Sequence, residues 1–421
     1  MKSSYKRLGD FIHKIDVRNK NSQNTKLLGL SMTKEFRPHA SNIIGTDLSR
    51  YKVVDHWQFA CDFMSTIRVR KLPVVLQEND EQIIVSPAYT TFEVIDSNEL
   101  HPEYLMMWFR RSEFDRYAYF CCDSAVRGGF NWDELCDVQL PVPSIEKQRE
   151  IVKEYNTIVN RIKLNEQLNQ KLEETAQALY KHWFVDFEFP NENGQPYKSS
   201  GGEMVYNEEL DQEIPNEWNN GLFKDFAEII NGYAFKSVDF SESGSLPILK
   251  IKNVQPPFVS IDSSLYYKKE ISEKLNRVLV NNRDVLITMT GSGANQMNSA
   301  VGQVGKYYFK SPALLNQRVC KLVFKDESYR QFAFLFISKN EAQLELLSGS
   351  SGSANQANIS PDQIRNLKVV SPPKNVLKDF ENLATVIENS MRVIQRDKLN
   401  ELRILLLSKM SVIETNQPET V

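Results

Sequence analysis

The chain has 421 residues, 41% apolar and 10% aromatic, enough for two or three packed cores and too rich in large apolar side chains for a disordered protein. Lys and Arg number 51 against 54 Asp and Glu, a net charge of −3, which excludes a function resting on a bulk positive field. Five scattered cysteines, Cys61, Cys121, Cys122, Cys136 and Cys320, form no Cys-x-x-Cys pair, and no signal peptide or apolar run of ~18 residues is present, so a cytoplasmic protein with reduced thiols is expected.

Residues 1–143 read as a first α+β domain. Short β-rich runs (Val74-Val-Leu76, Ile83-Ile-Val85) precede a helical stretch from Pro102 to Phe114, and cations cluster at Arg68-Val-Arg70-Lys71 and at Arg110-Arg111 with Arg116. A long helix is predicted over 144–187. Pro141 and Pro143 forbid helix before it, Ser144 is a suitable N-cap and Glu146 suits the first turn. From Ile151 through Tyr155, Ile158, Ile162, Asn165, Leu168, Leu172, Thr175 and Leu179 a narrow stripe recurs at three- and four-residue steps, as in a coiled-coil seam. Asn165 is either a register-fixing polar residue on that seam or an exposed one. Residues 188–202 carry the turn-forming composition of a linker.

A second α+β domain is predicted over 203–371, with runs at Val285-Leu-Ile287 and Val319–Phe324, a helical stretch from Tyr329 to Leu347, and cations at Lys250-Ile-Lys252 and Lys268-Lys269. A second long helix over 372–415 follows Pro372-Pro373. Each domain is nearly neutral: 18 Lys+Arg stand against 19 Asp+Glu in 1–143, and again in 203–371.

The two halves are copies. Phe130, Leu135, Val138, Leu140 and Pro143 recur as Ile359, Ile364, Leu367, Val369 and Pro372 at a constant offset of 229, and Asp133 falls on Asp362. The offset continues into the helices, where Ile151 pairs with Phe380, Ile158 with Ile387 and Ile162 with Met391. A module of domain plus long helix has been written twice, and the simplest partner for each helix is the other one. The domain openings match more loosely, Leu8-Gly-Asp10-Phe11 with Leu222-Phe-Lys-Asp225-Phe226.

Catalytic signatures are missing. No GxxxxGK[ST] phosphate loop occurs, Gly291-Ser-Gly293 lacks the third glycine of a dinucleotide turn, and the histidines show neither metal spacing nor HExxH. An adenine methyltransferase needs an Asn/Asp-Pro-Pro-aromatic loop to hold the flipped base; Ser371-Pro372-Pro373-Lys374 lacks both working groups. Pro361-Asp362 is followed only by Asn366-x-Lys368, so no PD…(D/E)xK nuclease site forms either.

Several strings then converge on a family. Ala178-Leu-Tyr-Lys-His-Trp183-Phe-Val-Asp-Phe187, Asn231-Gly-Tyr-Ala-Phe235-Lys236, Pro247-Ile-Leu-Lys-Ile-Lys-Asn253, Asp284-Val-Leu-Ile-Thr-Met-Thr-Gly291 and Ala313-Leu-Leu-Asn316-Gln317-Arg318-Val319, with the repeat, make the chain resemble the specificity subunit of type I restriction-modification enzymes over essentially its full length. In the first half, Ser86-Pro87-Ala88-Tyr89-Thr90 with Pro102-Glu-Tyr-Leu105 carries the likeness. The resemblance implies an α+β fold with two target-recognition domains, each followed by a long helix, the helices packed as an antiparallel coiled coil about a pseudo-two-fold axis. It implies a non-catalytic subunit that reads a two-part target in double-stranded DNA, the helix length setting the spacer. Two modification subunits carrying S-adenosylmethionine would dock on it, and two restriction subunits using ATP and Mg could join. The rival from another class is a coiled-coil scaffold whose two domains bind proteins.

Base reading needs paired donors and acceptors on exposed loops, Arg for guanine and Asn or Gln for adenine. Asn295, Gln296 and Asn298 in one glycine-rich loop, Asn355, Gln356 and Asn358 in another, and Arg127 with Asn131 in the first half meet that description. Arg68, Arg70, Lys71, Lys250 and Lys252 are candidates for phosphate contact, and Tyr89 and Arg318 for DNA contact through their place in the family strings. Trp183, Phe184 and Asp186, at the end of the first helix, are candidates for partner contact, set against hinge packing. No metal site is expected.

Overall fold

Val74 and Leu76 point into one apolar cluster while Val75 points into another, because successive strand residues face opposite sides of a sheet. A strand covered on both sides has no polar face, so Val74–Leu76 and Ile83–Val85 read as short continuous apolar runs. The computed structural model describes residues 5–20, 24–38, 46–124, 130–291, 300–353, 356–391 and 393–410, and the chain divides into two units, residues 1–163 with 397–421 and residues 164–396.

In the first unit an antiparallel sheet orders Ile12–Ile15, Thr90–Val94, Gln58–Cys61 and Val74–Leu76. Phe59 stacks on Phe92 at 4.8 Å, and Phe109 meets Phe59 edge-on at 5.9 Å. Phe109 ends helix Pro102–Phe109, which starts with proline at its first position, where no amide hydrogen is needed. The strand Tyr5–Arg7 pairs with Gln139–Pro141, so the domain closes its two ends together just before the long helix. Val152 and Tyr155 of that helix share the core with Leu407 and Met410 from the chain's last described turn.

The second unit repeats this plan. Ala227–Asn231, Val319–Phe324, Val285–Thr288 and Val304–Lys306 stand in the same order, extended by Phe258–Val259 and Val254–Gln255. The pairing Ile12↔Val94 and Ile15↔Thr91 in the first sheet becomes Ala227↔Phe324 and Ile230↔Lys321 in the second. Strand Asn219–Leu222 pairs with Lys368–Ser371 as its counterpart does. Of the 229-offset motif, Phe130, Leu135, Val138 and Leu140 and their counterparts Ile359, Ile364, Leu367 and Val369 are buried in both copies. An added five-stranded sheet, with its own core around Ile248, Val280 and Leu314, makes the second domain larger.

The central helix runs Ile145–Phe184, begun by the Ser144 hydroxyl accepting from the Lys147 amide at 3.4 Å. Its buried positions are Gln148, Val152, Tyr155, Ile162, Asn165, Asn169, Ala176, Tyr180, Trp183 and Phe184, while Leu164 and Leu168 are 58% and 42% exposed. The seam thus departs from the apolar stripe after Ile162, turning two asparagines inward; Asn165 is a seam residue. Trp183 packs against Phe380 at 5.6 Å, and Glu173 lies close enough to Glu388 to feel its charge. These contacts fix the packing of the two helical passes as antiparallel.

Two boundaries differ from expectation. The second long helix is two helices, Lys374–Ser390 and Val393–Lys409, separated where Met391 takes an extended conformation. Asn389 and Ser390 precede the break, and such side chains compete with the helix for backbone bonds: the Ser390 hydroxyl donates to the Val386 carbonyl at 2.9 Å and the Asn389 amide oxygen accepts from Arg283. The stretch 188–202, expected as a linker, is folded into the second unit, with Phe189 stacked on Tyr197 at 4.7 Å and against Trp218 at 4.9 Å.

Candidate nucleic-acid interface

In the second domain the two loops singled out by sequence meet. Thr290-Gly291 pairs with Ala357-Asn358, which in turn pairs with Ser351–Ser353, giving a three-stranded patch. Met289, Ala357 and Ile359 anchor it in the core. The Thr290 hydroxyl donates to the Asn358 side-chain oxygen at 2.8 Å, and the Arg318 guanidinium lies 3.4 Å from both oxygens. Arg318 is exposed, and its fork keeps donors that no described residue uses, above a fixed pair of polar groups. Its turn lies against strand Ala227–Asn231 because Gly232 has no side chain: a Cβ there would sit 2.1 Å from the Asn316 carbonyl oxygen.

Asn295, Gln296, Asn298, Asn355 and Arg127 lie outside the described residues, as does the side chain of Gln356. The described backbone still places the Gln356–Asn358 strand beside Thr290-Gly291.

In the first domain, strand Gln58–Cys61 holds the place of Val285–Thr288, each between the same two neighbours. The segment leaving it carries Arg68, Arg70 and Lys71, all exposed. It therefore occupies the position of the Thr290 loop. Arg70 adopts a left-handed conformation (φ 55°) and its guanidinium lies over the Tyr119 ring at 5.3 Å.

Other candidates have structural duties. The Asn131 side chain caps helix Trp132–Cys136, accepting from the Asp133 and Glu134 amides at 2.9 and 3.1 Å, so its carbonyl is not available to a base. Tyr89 packs against the cluster of Leu30, Val54 and Val85, and burial pushes its phenol up. Lys250 lies over the Phe240 ring at 4.3 Å, and Lys252 donates to the Ser263 carbonyl at 2.7 Å; both side chains serve the added sheet. Trp183 and Phe184 are 4% and 2% exposed, inside a cluster with Phe332, Phe380 and Trp218. A partner could not reach them without unpacking that core, which corrects their assignment as contact residues. Asp186 alone of the three is on the surface, paired with Lys181 at 2.7 Å.

Sequence reasoning passed over Thr290, whose only signal was its place beside Gly291. It also passed over a buried ionic cluster around Glu388, whose members lie far apart in the chain. Among the described residues, no group of His, Cys, Asp and Glu could hold a metal ion, and no helix is long and apolar enough to cross a membrane.

The comparisons with known proteins agree with this architecture. Residues 215–403 match the family model of the type I restriction modification DNA specificity domain. The type I restriction enzyme MjaIX specificity subunit of Methanocaldococcus jannaschii is 24% identical over 328 residues, covering 75% of this chain and 70% of that one. The HindI specificity subunit of Haemophilus influenzae is 22% identical over 381 residues, covering 79% and 82%. In fold, the chain is similar to the crystal structure of a type I restriction-modification S subunit from M. genitalium, with a TM-score of 0.53 at 12% identity over 99% of this chain and 96% of that one. A duplicated domain-plus-helix module and these relatives make the chain similar to the specificity subunits of type I restriction-modification systems, and residues 215–403 carry the match to their DNA specificity domain.

Proposed function

We propose that this chain reads a bipartite sequence in double-stranded DNA, one half-site per domain, and positions two modification subunits on it. The observation that carries the reading is the repeat of one sheet, in order and register, with segments of different sequence leaving its equivalent strands. A common frame with divergent loops suits two reading heads for two different half-sites. S-adenosylmethionine would arrive on the modification subunits, and ATP with Mg on two restriction subunits where the system carries them; the assembly would act in the cytoplasm. Near-neutral domains fit this division, because partners would supply much of the sequence-independent phosphate grip.

Arg318 tests it. Its guanidinium donors suit the O6 and N7 acceptors of guanine, a contact that contributes ~1–3 kcal/mol of discrimination. Arg318→Ala in the assembled modification complex is expected to lower methylation through the second half-site by roughly ten-fold or more, leaving first half-site sequence preference intact. Methylation rates on DNA libraries randomised in one half-site at a time report this, and equal loss of preference at both half-sites would contradict it.

A further inference from the structure

The first domain carries an inverted surface. Met64 is 78% exposed and Ile67 47%, on the segment that leaves strand Gln58–Cys61, and Phe120 on the adjoining helix Ser112–Ser124 is 70% exposed. The same segment turns its polar groups inward. The Asp62 carboxylate accepts from the Met64 and Ser65 amides at 3.1 and 3.3 Å and from the Ser65 hydroxyl at 2.6 Å. Thr66 is fully buried. At the far end the Leu72 amide donates to Asp115 at 3.1 Å, and Asp115 is held by the buried Lys34 ammonium at 2.8 Å. A fixed framework thus holds two large apolar side chains in water, where exposure is unfavourable.

What surrounds them identifies the occupant. Arg68, Arg70 and Lys71 are exposed beside them, with no carboxylate partner among the described residues. Among the described residues, the one ion pair of Arg116, on the neighbouring helix, is with the exposed Glu113 at 3.6 Å. In a chain of net charge −3, an apolar point ringed by cations is complementary to a polyanion with an apolar feature. The major groove of DNA presents one such feature on a base edge, the C5-methyl group of thymine.

We infer that Met64 and Ile67 read thymine by packing on its methyl group in the major groove of the first half-site, while Arg68, Arg70 and Lys71 hold the flanking phosphates. The inference rests on the DNA-reading function proposed above. It makes the two heads chemically different: the second presents the Arg318 guanidinium over Thr290 and Asn358, the first an apolar tip.

The test uses the chain assembled with its modification subunits and a half-site mapped by methylation. The first half-site is expected to contain an A·T pair besides that of the methylated adenine. Replacing its thymine with deoxyuridine removes the methyl alone and should weaken binding about four-fold, the effect of one methyl-sized group returned to water. The double variant Met64→Ala, Ile67→Ala, altered only at exposed positions, should bind both DNAs within about 1.5-fold of each other, since the methyl has lost its contact. A half-site of G·C pairs outside the methylated adenine would overturn the inference. So would equal methyl dependence in both proteins, or a wild-type complex indifferent to the methyl, as a minor-groove wedge would be. Loss of the modification subunits from the double variant would also overturn it, in favour of a protein contact. A complex that methylates no two-part site defeats the functional reading as well; one that does so while ignoring the methyl defeats this inference alone.

Discussion

Replacing Glu388 with alanine is expected to lower the unfolding free energy of the second unit by ~3–5 kcal/mol. The Glu388 side chain is 2% exposed and accepts three hydrogen bonds, from Lys306 at 2.7 Å, the Tyr308 hydroxyl at 2.6 Å and Gln331 at 2.9 Å, and it is ion-paired with Arg330 at 3.1 Å. Arg330 is bound in turn by Glu381 at 3.0 Å. The cluster ties a sheet strand and helix Arg330–Ile337 of the head to helix Lys374–Ser390. Without the carboxylate, Lys306 stays buried with its charge uncompensated, and that residue, more than the lost bonds, causes the destabilisation. Burial alone would raise the Glu388 carboxyl, but Lys306 and Arg330 outweigh it and hold the group at about 2, below the usual 4.5. Because the folded value is depressed, its stabilisation is complete above pH 4.5 and is lost as pH falls toward about 2. Denaturant unfolding at neutral pH and near pH 3 measures both effects; a midpoint for Glu388→Ala matching wild type would refute them. In strand register Leu76 holds the place of Lys306, and Val159 that of Glu388 by the 229 offset. The exchange Lys306→Leu with Glu388→Val, which copies the first head, should therefore cost much less than Glu388→Ala.

Removing one matched heptad from each helical pass is expected to shorten the preferred spacer between half-sites by about three base pairs, leaving the half-sites unchanged. Seven residues at 1.5 Å amount to about 10.5 Å, and base pairs along one strand are spaced by about 3.4 Å. A whole heptad preserves the seam that places Asn165 and Asn169 inward, so the helices can still pack. Deletion from one pass alone would misalign the Trp183–Phe380 contact and should abolish methylation. Methylation of DNA libraries with graded spacers reads the shift. An unchanged optimum would show that helix length does not set the spacer.

The duplication was legible because burial preserves apolar residues at fixed positions: Phe130 and Ile359, or Leu140 and Val369, face cores in both copies. The central helix was legible from its proline stop and its lack of interior breakers. The seam was not, because Leu164 and Leu168 carry the apolar signal while Asn165 and Asn169 are the buried residues. Nor was the break at Met391, where no proline or glycine marks it. Asn131 shows the limit for site residues: an asparagine next to a helix satisfies a cap and a base reader equally in sequence, and only its bonds to the Asp133 and Glu134 amides separate the two. Arg318, carried by a family string, reached the patch because strand pairing brings Thr290 and Asn358 beneath it.

The most direct measurement is single-molecule sequencing of modified adenines in DNA from cells carrying this chain with its modification subunit, compared with cells lacking the chain. The account predicts methylated adenines in a motif of two short, unlike half-sites separated by a spacer of fixed length and free sequence, disappearing when the chain is absent. One uninterrupted motif, or methylation that persists without the chain, would contradict it.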